Sequence, residues 1–395
     1  MIGETLNIDT RDLEEELKIF DFSHFPLPKR NDDTLRVFYN NINGLEINEA
    51  IDTVIKRSKI KQKYDIITDI ETHTKAEAFL KQIYTWEVNI CALAEPCIEW
   101  RDSLPRKVIM DMGKHIDKYG HWTVATSKCS VGSFLKPGGA LVYNDGDLSG
   151  RIIESGTDPW GYGRWAFKRY KGKHDKELLV VSGYRVGKRS GTPGPSTAWH
   201  QQKVLLQEDN REEDPDEAFI TDLLQWMGTV QRDITEVIIM LDANEKWTHN
   251  AKIKRMAEKL QLHELNKAGD YQFPASHPCI TNPSRSTTID FWLCTEGVLQ
   301  SITYATRAPY DLGSLGDHRG LIVDINMTRL WGTDAISSNP MEGRKLTMND
   351  PNAMKKYQEL LDEYFTKQRI VHRTTQLYEQ LCKKKKTKWY IKKKI

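Results

Sequence analysis

The sequence predicts an α/β fold, because helical and strand patterns alternate along the chain. Residues 237–241, VIIML, form a continuous apolar run directly after the helical pattern of residues 215–232. Such a run is typical of a strand buried on both faces of a sheet. Residues 121–185 contain four short apolar segments, HWTVATSK, GGALVYNDG, GRWAFKRYKG and ELLVVSGYR, separated by glycine-rich or charged turns. Their spacing predicts an antiparallel meander.

The composition is that of a globular protein. Of the 395 residues, 39% are hydrophobic and 28% are charged, which fits one large domain with appendages or two domains. The net charge of +2 gives no indication about nucleic acid, and the sequence does not indicate an oligomeric state. The six cysteines lack zinc-site spacing, which favours a reducing, intracellular compartment. We expect no membrane partner, because we find neither a signal-peptide pattern nor an apolar span.

The two ends of the chain differ from its centre. Residues 1–34 include an acidic run at positions 12–16, and we interpret them as an N-terminal extension. Residues 328–395 begin as a polar linker, continue with helical spacing over 353–382 and end with eight lysines among the last thirteen residues. A lysine tail of this kind is a solvated end, a nuclear address or a nonspecific nucleic-acid contact, and the sequence leaves the three open.

The first two predicted strands each end in polar residues. Residues 35–39 have a strand pattern and are followed by Asn41 and Asn43, whose amides suit either a turn or a polar site. The next strand, at 90–94, stops at Glu95. A glutamate at the end of a buried strand is either exposed to solvent or bound to a cation.

The predicted meander ends at Tyr184 and Arg185, beside a basic loop. Residues 187–196 are rich in glycine and proline and contain Lys188 and Arg189. With an aromatic side chain beside it, this loop suits contact with a phosphate backbone. A surface loop without a function fits the composition equally well, so both interpretations stay open.

Asp242 and Asn244 follow the apolar strand at 237–241. In an extended chain these two side chains lie on one face of the strand. There the carboxylate can accept a proton from a water molecule that the amide holds in place. An Asp-Asn turn at the end of the strand is the alternative.

A second buried acidic residue is predicted in the strand pattern of residues 288–293. Asp290 stands among Ile, Phe, Trp and Leu, in the middle of the predicted strand, and such a carboxylate needs a partner. His318, just before the last predicted strand at 321–325, is a natural partner, because a buried Asp fixes the tautomer of an imidazole. A core Asp that accepts backbone N–H bonds is the alternative.

Taken in order, these segments resemble the endonuclease/exonuclease/phosphatase superfamily of deoxyribonuclease-I-like enzymes, and above all the endonuclease domain of non-LTR retrotransposons. The six segments are NINGL at 41–45, LAEP at 93–96, GYR at 183–185, LDAN at 241–244, TIDFWL at 288–293 and GDHR at 316–319. The resemblance covers residues 35–327. It implies a four-layer α/β sandwich of two packed, mainly antiparallel sheets flanked by helices, with an insertion within residues 47–88.

The resemblance also implies a metal-dependent phosphodiester hydrolase, most similar to a DNA endonuclease that belongs to or derives from a retroelement. It implies Mg²⁺, with Mn²⁺ as an alternative, held by Glu95, Asn43 and Asp317. Oxygen donors of this type suit a hard cation.

The same resemblance assigns the remaining roles. Asp242 would activate the attacking water and Asn244 would fix it. His318, oriented by Asp290, would stabilise charge on the scissile phosphate. The expected contacts to the phosphate and the DNA come from Tyr184, Asn41, Arg185, Lys188 and Arg189.

The sequence departs from the family pattern at four positions that support the site. Leu241 and Ala243 replace a Gly and a Phe, and Pro96 and Gly316 replace hydroxyl residues.

Two other functions stay open. One is a phosphatase or phosphodiesterase on inositol phosphates or lipids, since one fold hosts several chemistries. The other is a decayed domain that only binds nucleic acid.

Overall fold

The structure is a computed structural model in which the chain divides into two units, residues 1–338 and 339–395. It describes residues 27–45, 75–101, 117–129, 136–173, 175–187, 196–231, 234–268, 273–277, 286–308, 316–332 and 351–367, together with a few single or paired positions between these ranges. The predicted insertion therefore lies largely outside the described residues. No helix within the described ranges is long and apolar enough to cross a bilayer.

The described part of the first unit contains twelve strands and eight helices, numbered here in chain order. The strands are β1 (Thr34–Asn41), β2 (Ile90–Ala94), β3 (His121–Ala125), β4 (Ala140–Asn144), β5 (Ile152–Thr157), β6 (Trp165–Lys171), β7 (Glu177–Tyr184), β8 (Thr235–Asp242), β9 (His263–Glu264), β10 (Asp290–Cys294), β11 (Ile302–Arg307) and β12 (Leu321–Asn326). The helices are α1 (Lys75–Thr85), α2 (Gly146–Ser149), α3 (Ala198–Glu208), α4 (Pro215–Val230), α5 (Lys252–Lys259), α6 (Leu265–Ala268), α7 (Glu296–Ser301) and α8 (Met327–Trp331). The second unit contributes α9 (Pro351–Lys367).

The strands form two six-stranded sheets with the same pairing pattern. The first sheet has the order β11-β12-β1-β2-β4-β3, and the second has the order β5-β6-β7-β8-β10-β9. In each sheet the two central strands are parallel, β1 with β2 and β7 with β8, and every other pair is antiparallel. The sheets are thus mainly antiparallel, as predicted.

The apolar side chains separate into layers according to the two-residue period of the strands. In β8, Ile238 and Met240 belong to the core between the two sheets, whereas Val237, Ile239 and Leu241 face an outer cluster. That outer cluster includes side chains of α4 and α5, so these helices cover the second sheet. Apolar residues of α1 cover the first sheet in the same way. The predicted four-layer α/β sandwich is confirmed.

The predicted single meander over residues 121–185 is wrong, because its strands belong to two different sheets. β3 and β4 pair in the first sheet, whereas β6 and β7 pair in the second. The short helix α2 and the unpredicted strand β5 carry the chain from one sheet to the other. Antiparallel hairpins look alike in sequence whether they share a sheet or not, since only tertiary packing distinguishes the two cases.

Candidate active site at one end of the sandwich

The chain directions bring all six sequence segments to the same end of the sandwich. β1 and β2 are parallel, so Asn41 and Glu95 follow each other at one edge of the first sheet. β12 is antiparallel to β1, so its start, which follows His318, lies at that same end. The second sheet repeats this arrangement, because β10 is antiparallel to β8 and its first residue, Asp290, pairs with Asp242.

Strand alternation then turns these side chains toward the space between the sheets. Asp242 continues the inner face of Ile238 and Met240, and Asn41 continues the inner face of Val37 and Tyr39. The sequence predicted Asp290 in the middle of a strand, but in the structure Asp290 is the first residue of β10. It begins the inner row that Trp292 continues. The polar residues therefore close the end of an apolar inter-sheet core.

Asn41 links the two sheets through its amide group. Its Nδ2 donates hydrogen bonds to Glu95 Oε2 at 2.9 Å and to Asp242 Oδ2 at 2.7 Å, while its Oδ1 accepts from the backbone N–H of Asn43 at 2.9 Å. Asn41 is fully buried. Both amide hydrogens are thus engaged by carboxylates, so Asn41 fixes the relative positions of Glu95 and Asp242.

Asp290 is engaged by two further side chains of this end. Its Oδ2 lies 2.5 Å from His318 Nδ1, and its Oδ1 accepts a hydrogen bond from the Tyr39 hydroxyl at 3.2 Å. All three side chains are buried. Because the Asp290 carboxylate contacts Nδ1 of His318, the other ring nitrogen, Nε2, remains for contacts with other groups.

Asp317 adds a further carboxylate to the cluster, and about half of its side chain is accessible to solvent. Its Oδ1 is buried without a hydrogen-bond partner and lies 3.9 Å from His318 Nε2. Its Oδ2 lies 3.7 Å from His277 Nε2. Gly316 lets this loop approach the end of β1, because a Cβ at that position would lie 2.7 Å from the Asn41 carbonyl oxygen. The departure from the hydroxyl residue of the family pattern therefore has a steric reason.

Burial and mutual repulsion shape the titration of the cluster. Burial, together with the negative charge of Asp290, raises the pKa of Asp242 well above its ordinary value. Burial alone would lower the pKa of His318, but the charge of Asp290, its hydrogen bond, and the charges of Asp242 and Asp317 outweigh it and raise the pKa to about 9. Burial also tends to raise the pKa of Asp290, yet His318 and Arg307 keep it below the ordinary value. Asp290 therefore favours the protonated form of His318, and His318 favours the ionised form of Asp290.

Three of the predicted site residues adopt left-handed backbone conformations. The φ angles are 44° for Asn43, 48° for Glu95 and 48° for Asn244. Asn tolerates this region, whereas Glu rarely adopts it, so the turn at Glu95 is held by its surroundings. The chain is thus a turn and not extended between Asp242 and Asn244, yet the Asn244 backbone N–H still donates to Asp242 Oδ1 at 2.9 Å. The turn, which was the alternative at Asp242 and Asn244, is confirmed, and the action of this pair on a water molecule stays a prediction.

The structure places the remaining predicted residues in different ways. The Tyr184 hydroxyl is buried beside Glu95, and burial followed by the charge of Glu95 raises the pKa of this tyrosine. The Arg185 guanidinium is buried in contacts with Asp216 and the Ala243 carbonyl oxygen, outside the cluster. It supports the turn after β8, and we do not retain it as a substrate contact. Lys188 and Arg189 lie outside the described residues.

Sequence reasoning missed Tyr39, Ser276 and His277. Tyr39 stands in an ordinary apolar strand pattern, and nothing in that pattern indicates that its hydroxyl contacts Asp290. Ser276 Oγ accepts hydrogen bonds from the backbone N–H groups of Ile289 and Asp290, at 3.0 and 3.2 Å. His277 lies in a polar loop, and only its residue type could have indicated a role in metal binding.

Two groups of acidic and histidine side chains among the described residues are compact enough to hold a metal ion. They are His277 with Asp317 and His318, and Asp242 with Asp290 and His318. Glu95 is in neither group, so its predicted joint ligation with Asn43 and Asp317 stays a prediction.

Comparison with known proteins gives a similarity of fold. No protein-family model matches the sequence, and no curated protein matches it either. Among solved structures, the endonuclease domain of TRAS1, a telomere-specific non-LTR retrotransposon, matches 74% of this chain and 99% of its own length, with 13% identity and a TM-score of 0.44. An endonuclease/exonuclease/phosphatase family protein from Leptotrichia buccalis matches the same shares at 10% identity and a TM-score of 0.46. An AP endonuclease from Archaeoglobus fulgidus also matches these shares, at 10% identity and a TM-score of 0.44.

Proposed function

We propose that this chain is a metal-dependent phosphodiester hydrolase that nicks DNA. The observation that carries the proposal is the Asn41 bridge between Glu95 and Asp242, which lies beside the buried pair of Asp290 and His318. Burying several carboxylates together is unfavourable, so an arrangement of this kind points to chemistry and not to stability. The proposed catalytic domain spans residues 35–327.

The donor atoms of the cluster fit a hard divalent cation. Asp317 has a carboxylate oxygen without a hydrogen-bond partner, and Glu95 contributes a second carboxylate at the same end. We propose that Glu95, Asn43 and Asp317 hold Mg²⁺, or Mn²⁺ in its place, because such cations prefer oxygen ligands. The bound cation would neutralise charge that develops on the phosphate.

Asp242 and Asn244 are proposed to act on the attacking water. The raised pKa of Asp242 brings this carboxylate closer to neutrality than a solvent-exposed Asp, which favours proton acceptance from water. Asn244 is anchored by its Nδ2, which donates to the Arg185 carbonyl oxygen at 2.9 Å. Asn41 is a positioning residue, since its amide holds both carboxylates and is itself buried.

His318 and Tyr184 are proposed to contact the scissile phosphate. Asp290 binds His318 Nδ1, so the proton on Nε2 is available to a phosphate oxygen. A fixed donor of this kind stabilises developing negative charge without reorganising. Tyr184, beside Glu95, would donate its hydroxyl to the same group.

The choice of DNA rests on the six sequence segments and their order. This order resembles that of retroelement endonucleases, and we propose such an origin for the chain. Lys188, Arg189 and the lysine-rich end supply positive charge for phosphate contacts, and that end also suits a nuclear address.

Nicking of supercoiled plasmid by purified protein tests the proposal. We expect nicking with Mg²⁺, none with EDTA, and a loss of at least 100-fold in the Asp242→Asn variant. Asp147→Asn is the matched control, because Asp147 is an exposed acidic residue on α2. Absence of nicking by folded protein, or equal nicking by the Asp242→Asn variant, would contradict it. Phosphate release from inositol phosphates, measured in parallel, would instead identify the alternative substrate class.

A further inference from the structure

We propose that His277, Asp317 and His318 form a binding site for a transition-metal ion of the Zn²⁺ or Co²⁺ type, and that an ion bound there inhibits hydrolysis. The site shares Asp317 with the proposed Mg²⁺ ligands and adds two imidazoles. The binding claim rests on geometry, whereas the inhibition rests on the proposed function.

The three side chains converge on one point through their free ligand atoms. His277 Nε2 lies 3.7 Å from Asp317 Oδ2, and His318 Nε2 lies 3.9 Å from Asp317 Oδ1. These separations are too long for hydrogen bonds. In a tetrahedral site with bonds of about 2.0 Å, ligand atoms stand about 3.3 Å apart. With one ligand atom from each residue, the three atoms lie within 4.8 Å of one another, so closing the site requires movements of up to about 1.5 Å, which the half-exposed side chains of His277 and Asp317 allow.

Both imidazoles are already oriented for ligation. Asp290 accepts from His318 Nδ1, which leaves Nε2 as the ligand atom once a bound ion displaces its proton to solvent, and a carboxylate behind a ligating histidine is a common device in metal sites. The backbone of His277 is fixed by two hydrogen bonds with Thr287, at 2.8 and 3.0 Å. The two rings meet edge to face with centroids 4.9 Å apart. To bind an ion, only the side chains of His277 and Asp317 therefore need to move.

The donor chemistry distinguishes this site from a magnesium site. Two imidazole nitrogens and one carboxylate oxygen, with a free position for water, are typical of zinc and its neighbours in the first transition row. Mg²⁺ strongly prefers oxygen. Because Nε2 of His318 is also the nitrogen proposed to donate to the phosphate, an ion bound there removes that donor. Inhibition by Zn²⁺ at a fixed Mg²⁺ concentration follows.

Titration of untagged protein with Co²⁺ tests binding independently of activity, through the visible absorption of the bound ion. We expect the wild-type protein to bind Co²⁺, and the His277→Ala variant to bind it at least tenfold more weakly. His263→Ala is the matched control, since His263 is similarly exposed and faces a single carboxylate, Glu296, at 3.1 Å. Asp317→Asn should weaken binding as His277→Ala does. Equal Co²⁺ affinity in the wild-type protein and the His277→Ala variant would overturn the site.

Plasmid nicking with Mg²⁺ then tests the inhibition. Each protein is compared with its own nicking rate without Zn²⁺, and in the His277→Ala variant the Zn²⁺ concentration for half inhibition should be at least tenfold higher than in the wild-type protein. Equal inhibition of both proteins by Zn²⁺ would overturn the inhibitory role even if Co²⁺ binding differs. If no variant nicks DNA, the proposed function fails, and the Co²⁺ titration alone decides whether the site exists.

Discussion

Replacing Asp290 by Asn should separate the orienting role of this carboxylate from simple packing. Asp290 Oδ2 lies 2.5 Å from His318 Nδ1, and both side chains are buried. In the Asp290→Asn variant an amide of the same shape takes that position, but it carries no charge. Its NH₂ group favours an imidazole that accepts at Nδ1. The proton on Nε2 then no longer belongs to a stabilised imidazolium.

The size of the effect follows from the burial of this pair. A hydrogen bond between buried, charged partners at a catalytic centre is worth about 2–4 kcal/mol, so nicking should slow by about 30-fold to 1,000-fold. Tyr39→Phe is the matched comparison, because it removes the other hydrogen bond to Asp290, a longer contact at 3.2 Å. This bond runs from an uncharged hydroxyl, and its length limits its contribution to about 1 kcal/mol, which predicts a loss of about fivefold.

Initial nicking rates at saturating Mg²⁺, measured beside thermal unfolding curves, provide the assay. The reasoning is refuted if the folded Asp290→Asn variant nicks within threefold of the wild-type rate. It is also refuted if Tyr39→Phe is as slow as Asp290→Asn, because both would then act through packing.

Three predictions concern stability and are checked by chemical or thermal unfolding. Asp324→Ala should cost about 3–5 kcal/mol, since it leaves buried Arg36 without the carboxylate that binds its guanidinium at 2.8 Å through two nitrogens; a loss below 1 kcal/mol would contradict this. Burial tends to raise the pKa of Glu99, but hydrogen bonds from two cations lower it to about 2. Glu99 therefore contributes about 1–3 kcal/mol above pH 4.5 that is lost as pH falls toward 2, and Glu99→Gln should remove this acid dependence. Burial raises the pKa of Asp242, so its ionised form opposes folding, and the metal-free wild-type protein should lose stability relative to the Asp242→Asn variant as pH rises above about 4; the same pH dependence in both proteins would argue against a desolvated carboxylate.

The positions of the site residues could be predicted because strand ends leave a clear trace in the sequence. Asp242 follows five apolar residues, and Glu95 follows another apolar run, so both had to lie where a buried strand emerges. The partnership of Asp290 with His318 followed from the cost of burying an unpaired carboxylate, and the structure places the two groups in contact. The apolar runs thus predicted where the strands end, and the cost of burying a charge predicted that Asp290 has a partner.

Other features depend on tertiary contacts that no local pattern encodes. Arg185 has the same sequence signature whether it faces solvent or Asp216, and only the packing of α4 decides the outcome. Tyr39 and His277 contact the cluster from segments far along the chain. The division of the predicted meander into two sheets has the same origin. Long-range packing, unlike strand periodicity, has no fixed spacing in the sequence.

The common design of the two sheets explains why the polar groups gather at one end. In each sheet a central parallel pair delivers two strand ends to the same edge, and the antiparallel neighbour starts there. Packing two such sheets face to face superimposes these edges, so inner-face residues at the last strand positions must meet, as Asn41 and Asp242 do at 2.7 Å. Apolar residues at these positions would extend the core at no cost in desolvation. That carboxylates and amides occupy them instead is the physical argument for a functional site here.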